Sequence, residues 1–288
     1  METAHKLSET RLADAWATLQ SHAGNGDSLS PEARRIAFAD PEFLTRRETR
    51  GMRMQLEMLK PELGQAAHGV ENTIVVFGSA RFCDPDQAAA KLASAQTSGD
   101  TAALLQAQRL VRNAPYYAAA RSFGRMVSEY SASKPAADKF FICTGGGPGI
   151  MEAANRGAHD VGAPSVGLAI ALNMNEQPNP YVTPELAFTF HYFALRKMHF
   201  MMRAKALLAF PGGFGTLDEL FEVLTLVQTR KAKPVPIFLF GSDYWKRLIN
   251  FDVLVEEGAI KQEDLKLFQY VDDPAVAWNE IKKFFALD

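Results

Sequence analysis

A carboxylate, Glu219, ends the stretch Pro211-Gly212-Gly213-Phe214-Gly215-Thr216-Leu217-Asp218-Glu219. A short way upstream, Phe193-Ala194-Leu195-Arg196-Lys197-Met198 supplies an arginine and a lysine. An acid and a guanidinium beside a glycine-rich turn suit a reaction in which positive charge builds on a ligand whose own anionic group is held by the turn. Glycine has no Cβ and admits positive φ, so backbone N–H groups can converge on such an anion. Two more turns of this kind occur, Gly78-Ser79-Ala80-Arg81 and Thr144-Gly145-Gly146-Gly147-Pro148-Gly149. A helix that follows such a turn points its positive end into the same space, which favours phosphate. One glycine corner after a strand is ordinary architecture. Three at one edge of one sheet argue for an anion or nucleotide site that takes Gly78, Ser79, Gly145, Gly146 and Gly147 with the 211–219 turn.

Thr216-Leu217-Asp218-Glu219 also fits the T-x-x-E capping box, in which Thr216 caps the helix and Glu219 reaches back to the cap. A carboxylate at a helix N-terminus stays ionised, because the macrodipole and the free N–H groups favour its charge. That suits an electrostatic stabiliser of a cationic transition state better than a general acid. The named phosphate motifs are missing. There is no GxxxxGK[ST]. GxGxxG fails too, since its last position falls on Ile150 when counted from Gly145 and on Asp218 when counted from Gly213. A dinucleotide site of the usual kind is disfavoured.

The elements that must position these turns alternate. Apolar runs at 72–78, 139–146, 165–172, 205–213, 234–241 and 266–271 read as six strands. Helices are expected at 116–130, 150–160, 217–229, 243–257 and 274–286, and the Ala-rich segment 87–113 reads as an inserted helix pair. Such alternation specifies an α/β fold, a doubly wound, Rossmann-like parallel sheet over residues 71–288, with ligands at the carboxyl ends of the strands. Residues 1–70 read as a helical extension. Leu7, Leu12, Ala15, Trp16 and Leu19 are at helical spacing, Ser30-Pro31-Glu32 is a helix start, and 40–64 reads as another helix.

A net charge of −2 and a pI near 6.3 argue against a nucleic-acid polymer as partner. Two cysteines, Cys83 and Cys143, without metal-ligand spacing point to a reducing compartment and no structural zinc. No run reaches the roughly 18 apolar residues of a membrane span, and the N-terminus has no signal-type core. The expectation is a cytoplasmic protein with no metal and no cofactor. Cys143 reads as a small buried apolar residue, and Met198, Met201 and Met202 as core or interface. His191, His199 and Tyr181 are weaker pocket candidates.

Taken together, PGGFGTLDE, the Arg-Lys pair of ALRKM and TGGGPGIMEAANRGA resemble the LONELY GUY family of cytokinin riboside 5′-monophosphate phosphoribohydrolases, many of them long labelled lysine decarboxylases. The resemblance covers about residues 70–260, and the extension and inserted segment are similar to the longer bacterial members. It implies hydrolysis of the N-glycosidic bond of a nucleoside 5′-monophosphate to free base and ribose 5-phosphate. It implies Arg196 and Glu219 as the catalytic pair. Met151, Glu176, Lys197, Gly212, Gly213, Gly215, Thr216, Asp218 and Thr225 would be substrate-binding positions. The compact members carry a second glutamate where Asp218 stands. A homodimer or higher homo-oligomer, with the site near a dimer interface, is also implied. Two other readings compete. A non-catalytic nucleotide or molybdenum-cofactor carrier needs the glycine turns but not Arg196 and Glu219. A lysine decarboxylase would usually need pyridoxal phosphate on a lysine, and neither Lys197 nor Lys205 sits in such a motif.

Overall fold

The computed structural model describes residues 37–171 and 177–288. The chain divides into two compact units, Met1–Leu56 and Glu57–Asp288. In the first, a 3-10 turn at Ala37–Ala39 leads into α1 (Pro41–Thr45). Asp40 Oδ1 caps this helix, accepting from the backbone N–H of Glu42 (3.0 Å) and Phe43 (3.2 Å), and Pro41 stands where no donor is needed. The Thr49 hydroxyl lies within 3.0 Å of the Phe43, Leu44 and Arg46 carbonyls. It serves the carbonyls at the end of α1, where the Phe43 carbonyl also accepts the Arg46 N–H at 3.2 Å, and the expected single helix at 40–64 becomes α1 and then α2 (Arg50–Ala67). Residues of α2 from Glu57 onward belong to the second unit. The helix expected over 7–20 and the start at Ser30-Pro31-Glu32 lie outside the described residues.

The second unit is an α/β sheet of seven parallel strands among the described residues, in the order β4-β3-β2-β1-β5-β6-β7. The strands are β1 (Asn72–Phe77), β2 (Phe140–Thr144), β3 (Ser165–Ile170), β4 (Ala187–Phe190), β5 (Ala204–Ala209), β6 (Ile237–Phe240) and β7 (Gln269–Val271). From β1 the chain steps outward through β2, β3 and β4. It then returns to the other side of β1 with β5 and steps outward again. Strand order therefore reverses between β1 and β5, where Phe77 pairs with Ala209. That reversal opens a crevice at the carboxyl ends of these two strands. β4, which adds the seventh strand, was not expected. It is four residues long and runs almost directly into the following helix, so it offers too few residues for its periodicity to register.

Both faces of the sheet are covered, as continuous apolar strands require. Ile74, Val76, Ile142, Ala206, Leu208 and Phe238 turn to one face. There they meet α4 (Thr101–Ala132) through Tyr117, Ala120 and Phe123, α5 (Ile150–His159) through Ile150 and Ala154, and α10 (Pro274–Phe284) through Trp278 and Ile281. Phe77 turns the other way and meets Phe200 of α6 (Phe193–Met202) edge-on at 4.8 Å. The inserted pair is present as α3 (Pro85–Ser98) and the first part of α4. Its second member does not stop at 113 but runs through Pro115 into the helix expected at 116–130. Pro115 removes one helical hydrogen bond, and burial of Ala114, Tyr117, Ala120 and Phe123 around it outweighs that loss. Asp84 fixes the start of α3. One carboxylate oxygen accepts from Asp86 N at 3.0 Å, and the other lies 3.1 Å from Arg156 of α5. The remaining helices are α7 (Phe214–Gln228), α8 (Ser242–Leu248) and α9 (Asp252–Glu256).

α4 and α5 meet backbone to backbone. A Cβ on Gly124 would fall on the Ala154 carbonyl, and one on Gly157 would fall on the Arg121 carbonyl and stand 2.8 Å from Arg125 N. Alanine is favoured over glycine inside a helix by about 1 kcal/mol, whereas overpacking costs about 1–3 kcal/mol or more. Gly157→Ala is therefore expected to lower the denaturant midpoint, against its helix propensity. An unchanged or higher midpoint would show that the helices have room to part.

Candidate active site

The three glycine turns meet at the β1/β5 reversal. The Ser79 N–H donates to the Pro211 carbonyl at 2.9 Å, and the Ile150 N–H donates to the Ser79 carbonyl at 3.0 Å. The turns are thus strapped to one another. Their glycines divide into two kinds. A Cβ on Gly78 would stand 2.6 Å from the Ile150 side chain, and Gly149, at φ +74°, would drive one into Ser79 and Ala80. A Cβ on Gly212 would fall on the Thr216 hydroxyl. These positions let the turns close on each other. Gly213 and Gly215 have nothing within 4 Å of where a Cβ would be. They leave bare backbone facing a cavity of about 570 Å³.

Of the expected site residues, Gly78, Ser79, Gly145, Met151, Arg196, Gly213, Gly215, Thr216 and Glu219 line this cavity. Gly146, Gly147 and Gly212 shape the turns without lining it. The Gly146 and Gly147 carbonyls accept from Asn179 Nδ2 at 3.1 and 3.0 Å, and the Gly212 carbonyl accepts from the Tyr244 hydroxyl at 2.6 Å. Glu176 lies outside the described residues.

Arg196 projects from α6 and Glu219 from α7. Arg196 Nη2 donates to Glu219 Oε1 at 3.2 Å. The guanidinium is held between the Phe193 ring at 5.0 Å and the Phe200 ring at 5.8 Å, and its Nε is buried with no partner among the described residues. Glu219 is 4% exposed. Burial pushes its carboxyl up to about 7, against the pull of Arg196 and Lys197 in the other direction.

Two expectations are corrected here. Glu219 is not part of a capping box. α7 begins at Phe214 with Gly213 as its N-cap, and no side chain caps it. The Gly213 carbonyl takes the Thr216 and Leu217 N–H groups at 3.0 and 3.1 Å, which sets the helix start three residues ahead of Thr216. Glu219 therefore stands in the second turn, facing Arg196. The carboxyl is also not held firmly ionised by the helix end, because desolvation outweighs the favourable charges around it. With no side chain over the α7 terminus, its first N–H groups stay free for a ligand.

Lys197, Asp218 and Thr225 are gathered elsewhere. The Lys197 ammonium lies 2.7 Å from Asp218 and 3.1 Å from Glu222, along an open groove that Phe221 and Thr225 also line. Burial acts to lower its pKa, but bonds to Asp218 and Glu222 raise it on balance. The Thr225 hydroxyl donates to the Phe221 carbonyl one turn back at 2.7 Å. Tyr181 packs on Arg156 and His159 rather than on the cavity. His199 is buried against Phe190, which lowers its pKa, and His191 does not line the cavity. Cys143 is buried in β2 as expected.

Sequence reasoning passed over Arg81, Phe77, Ala80, Phe200 and Phe214, which complete the wall. For Arg81 the signal was a cation directly after a glycine turn. Phe200 was masked by the apolar stripe around it. A buried amide cluster also went unseen. The Asn155 carbonyl oxygen accepts from Thr144 Oγ1 at 2.7 Å and from Asn179 Nδ2 at 3.1 Å, while Asn155 Nδ2 donates to Ser165 Oγ at 2.9 Å. Its members are too far apart in the chain to show as a motif. No group of three or more His, Cys, Asp or Glu among the described residues is placed to hold a metal, and no described helix is long and apolar enough to cross a membrane.

Residues 151–281 match the family described as possible lysine decarboxylase. A protein of Oryza sativa subsp. japonica, the probable cytokinin riboside 5′-monophosphate phosphoribohydrolase LOG4, is 30% identical over 130 residues, covering 45% of this chain and 56% of that protein. The Arabidopsis thaliana cytokinin riboside 5′-monophosphate phosphoribohydrolase LOG3 is 32% identical over 118 residues, covering 40% and 54%. The chain thus spans just over half the length of these curated relatives. Among solved structures, the Moco carrier protein of Chlamydomonas reinhardtii superposes with a TM-score of 0.46 and 18% identity, covering 75% of this chain and 98% of that one.

Burial of Glu219 has a measurable cost. Its native pKa of about 7 stands above the ordinary 4.5, so between these values the folded chain holds a proton that the unfolded chain releases. Stability from this group is fully present below the unfolded value and is lost as pH rises to the folded one, by about 3 kcal/mol. Glu219→Gln, which cannot ionise, should raise Tm relative to the parent at pH 8 and leave it nearly unchanged at pH 4.5. An equal Tm difference at both pH values would refute the buried, near-neutral carboxyl.

Proposed function

We propose that this chain is a member of the LOG family and hydrolyses the N-glycosidic bond of a nucleoside 5′-monophosphate, AMP or a cytokinin riboside monophosphate. The products are free base and ribose 5-phosphate. The observation that carries this reading is Glu219, a buried carboxyl poised near neutrality, 3.2 Å from Arg196, on the wall of a cavity that bare glycine backbone at a helix N-terminus also lines.

The roles follow from that arrangement. The space at Gly213 and Gly215 lets the 5′-phosphate approach the first N–H groups of α7, where the helix end favours negative charge. The ribose is then held toward Glu219. As the C1′–N bond lengthens, its electron pair leaves with the base and positive charge grows on the ribosyl group. The Glu219 carboxylate stabilises that charge and takes a proton from the water that adds to C1′. The departing base gains a proton from solvent, so the sum is nucleotide plus water to base plus ribose 5-phosphate. Arg196, clamped by Phe193 and Phe200, holds the carboxylate in line.

The reading extends to a homodimer. Phe214 is 91% exposed, and Met198, Met202 and Phe221 are also exposed. They offer an apolar surface beside the groove that holds Lys197, Asp218 and Thr225, the remaining motif residues.

Because the ionised carboxylate is the working form, kcat/KM should rise with pH and level off above an inflection near 7. Glu219→Gln should lose activity by about 10²–10⁴-fold. Base release from a panel of nucleoside monophosphates, followed chromatographically, measures both. Full turnover by Glu219→Gln would end this reading.

A further inference from the structure

Two cationic side chains line the cavity among the described residues, Arg196 and Arg81. Arg196 is already engaged, with Nη2 on Glu219 and its guanidinium packed on the Phe193 and Phe200 rings. Lys197 is paired with Asp218 and Glu222 in the groove on α7. Arg81 is exposed and has no ion pair among the described residues. Its backbone N–H donates to Ser79 Oγ at 3.1 Å, which fixes the turn that carries it. The same loop is strapped to the α7 turn by the Ser79 N–H bond to the Pro211 carbonyl. The guanidinium and the bare α7 terminus therefore belong to one wall system around one cavity. A helix end offers about half a positive charge, which leaves a phosphate dianion largely uncompensated. A guanidinium supplies a full charge and two parallel donors that match phosphate oxygens.

We propose that Arg81 binds the phosphate of the nucleotide and so makes the site select phosphorylated over unphosphorylated nucleosides. This assignment rests on the phosphoribohydrolase reading for its substrate, but the anion site itself does not require turnover. Arg81 also borders a second cavity, which Arg109 lines from α4, so Arg109 serves as a nearby cation that does not line the cavity of Glu219.

The test uses Arg81→Gln, Arg81→Lys and Arg109→Gln in the full chain. Steady-state kinetics are measured on AMP and adenosine, and ribose 5-phosphate binding is measured by calorimetry. Arg81→Gln should raise KM for AMP and Kd for ribose 5-phosphate by about 10–100-fold, with kcat little changed and the slow reaction of adenosine unaffected. Arg81→Lys should recover part of the loss, and Arg109→Gln should resemble the parent. Equal losses on AMP and adenosine, or losses in Arg109→Gln as large as in Arg81→Gln, would overturn the assignment. If the parent releases base from AMP while Arg81→Gln binds ribose 5-phosphate as tightly, Arg81 is excluded and the reaction stands. If the parent hydrolyses no nucleotide yet Arg81→Gln loses ribose 5-phosphate binding, the anion site stands and the reaction falls.

Discussion

Keeping one carboxyl group dry beside an open cavity is the constraint on which the rest of the site depends. Left to itself, a buried glutamate would stay protonated well above neutral pH. Arg196, at 3.2 Å, draws it back without cancelling the effect of burial. The balance needs two helices, α6 and α7, to present one residue each at fixed separation. The sheet sets that separation, because both helices flank β5, the strand that pairs with β1 at the reversal of strand order. The aromatic clamp of Phe193 and Phe200 serves the same end by denying the guanidinium other orientations.

Much of this was legible before any coordinates. Apolar runs, four of them ending in glycine, specify buried parallel strands, and six of the seven strands were readable as such runs. The motif around Glu219 gave the residue but not its environment. T-x-x-E describes a local geometry, and the local rule lost because Gly213 starts the helix earlier. The charge state was misjudged for a related reason. Helix-end electrostatics can be read along a chain, whereas desolvation depends on what packs over the side chain from elsewhere. Pro115 is the mirror case. A residue that breaks helices in isolation is carried through by burial of the residues on either side of it.

The polar interior shows the same limit more sharply. Asn155 and Asn179 share one buried hydrogen-bond cluster with Thr144 and Ser165, and through it the Gly146 and Gly147 carbonyls are held in place. Buried amides are retained only when nearly every donor and acceptor is matched. Here the matching comes from four segments of the chain. Neither asparagine stood out in the sequence, since each has many ordinary uses.

The close approach of α4 and α5 at Gly124 and Gly157 leaves no slack between them. α5 starts directly from the second glycine turn, and Ile150 fixes that turn to the first. Half of the binding crevice is therefore a monolith, cast with the sheet. Any give in the walls of this cavity must come from the half built by α6 and α7, the same half that holds Glu219.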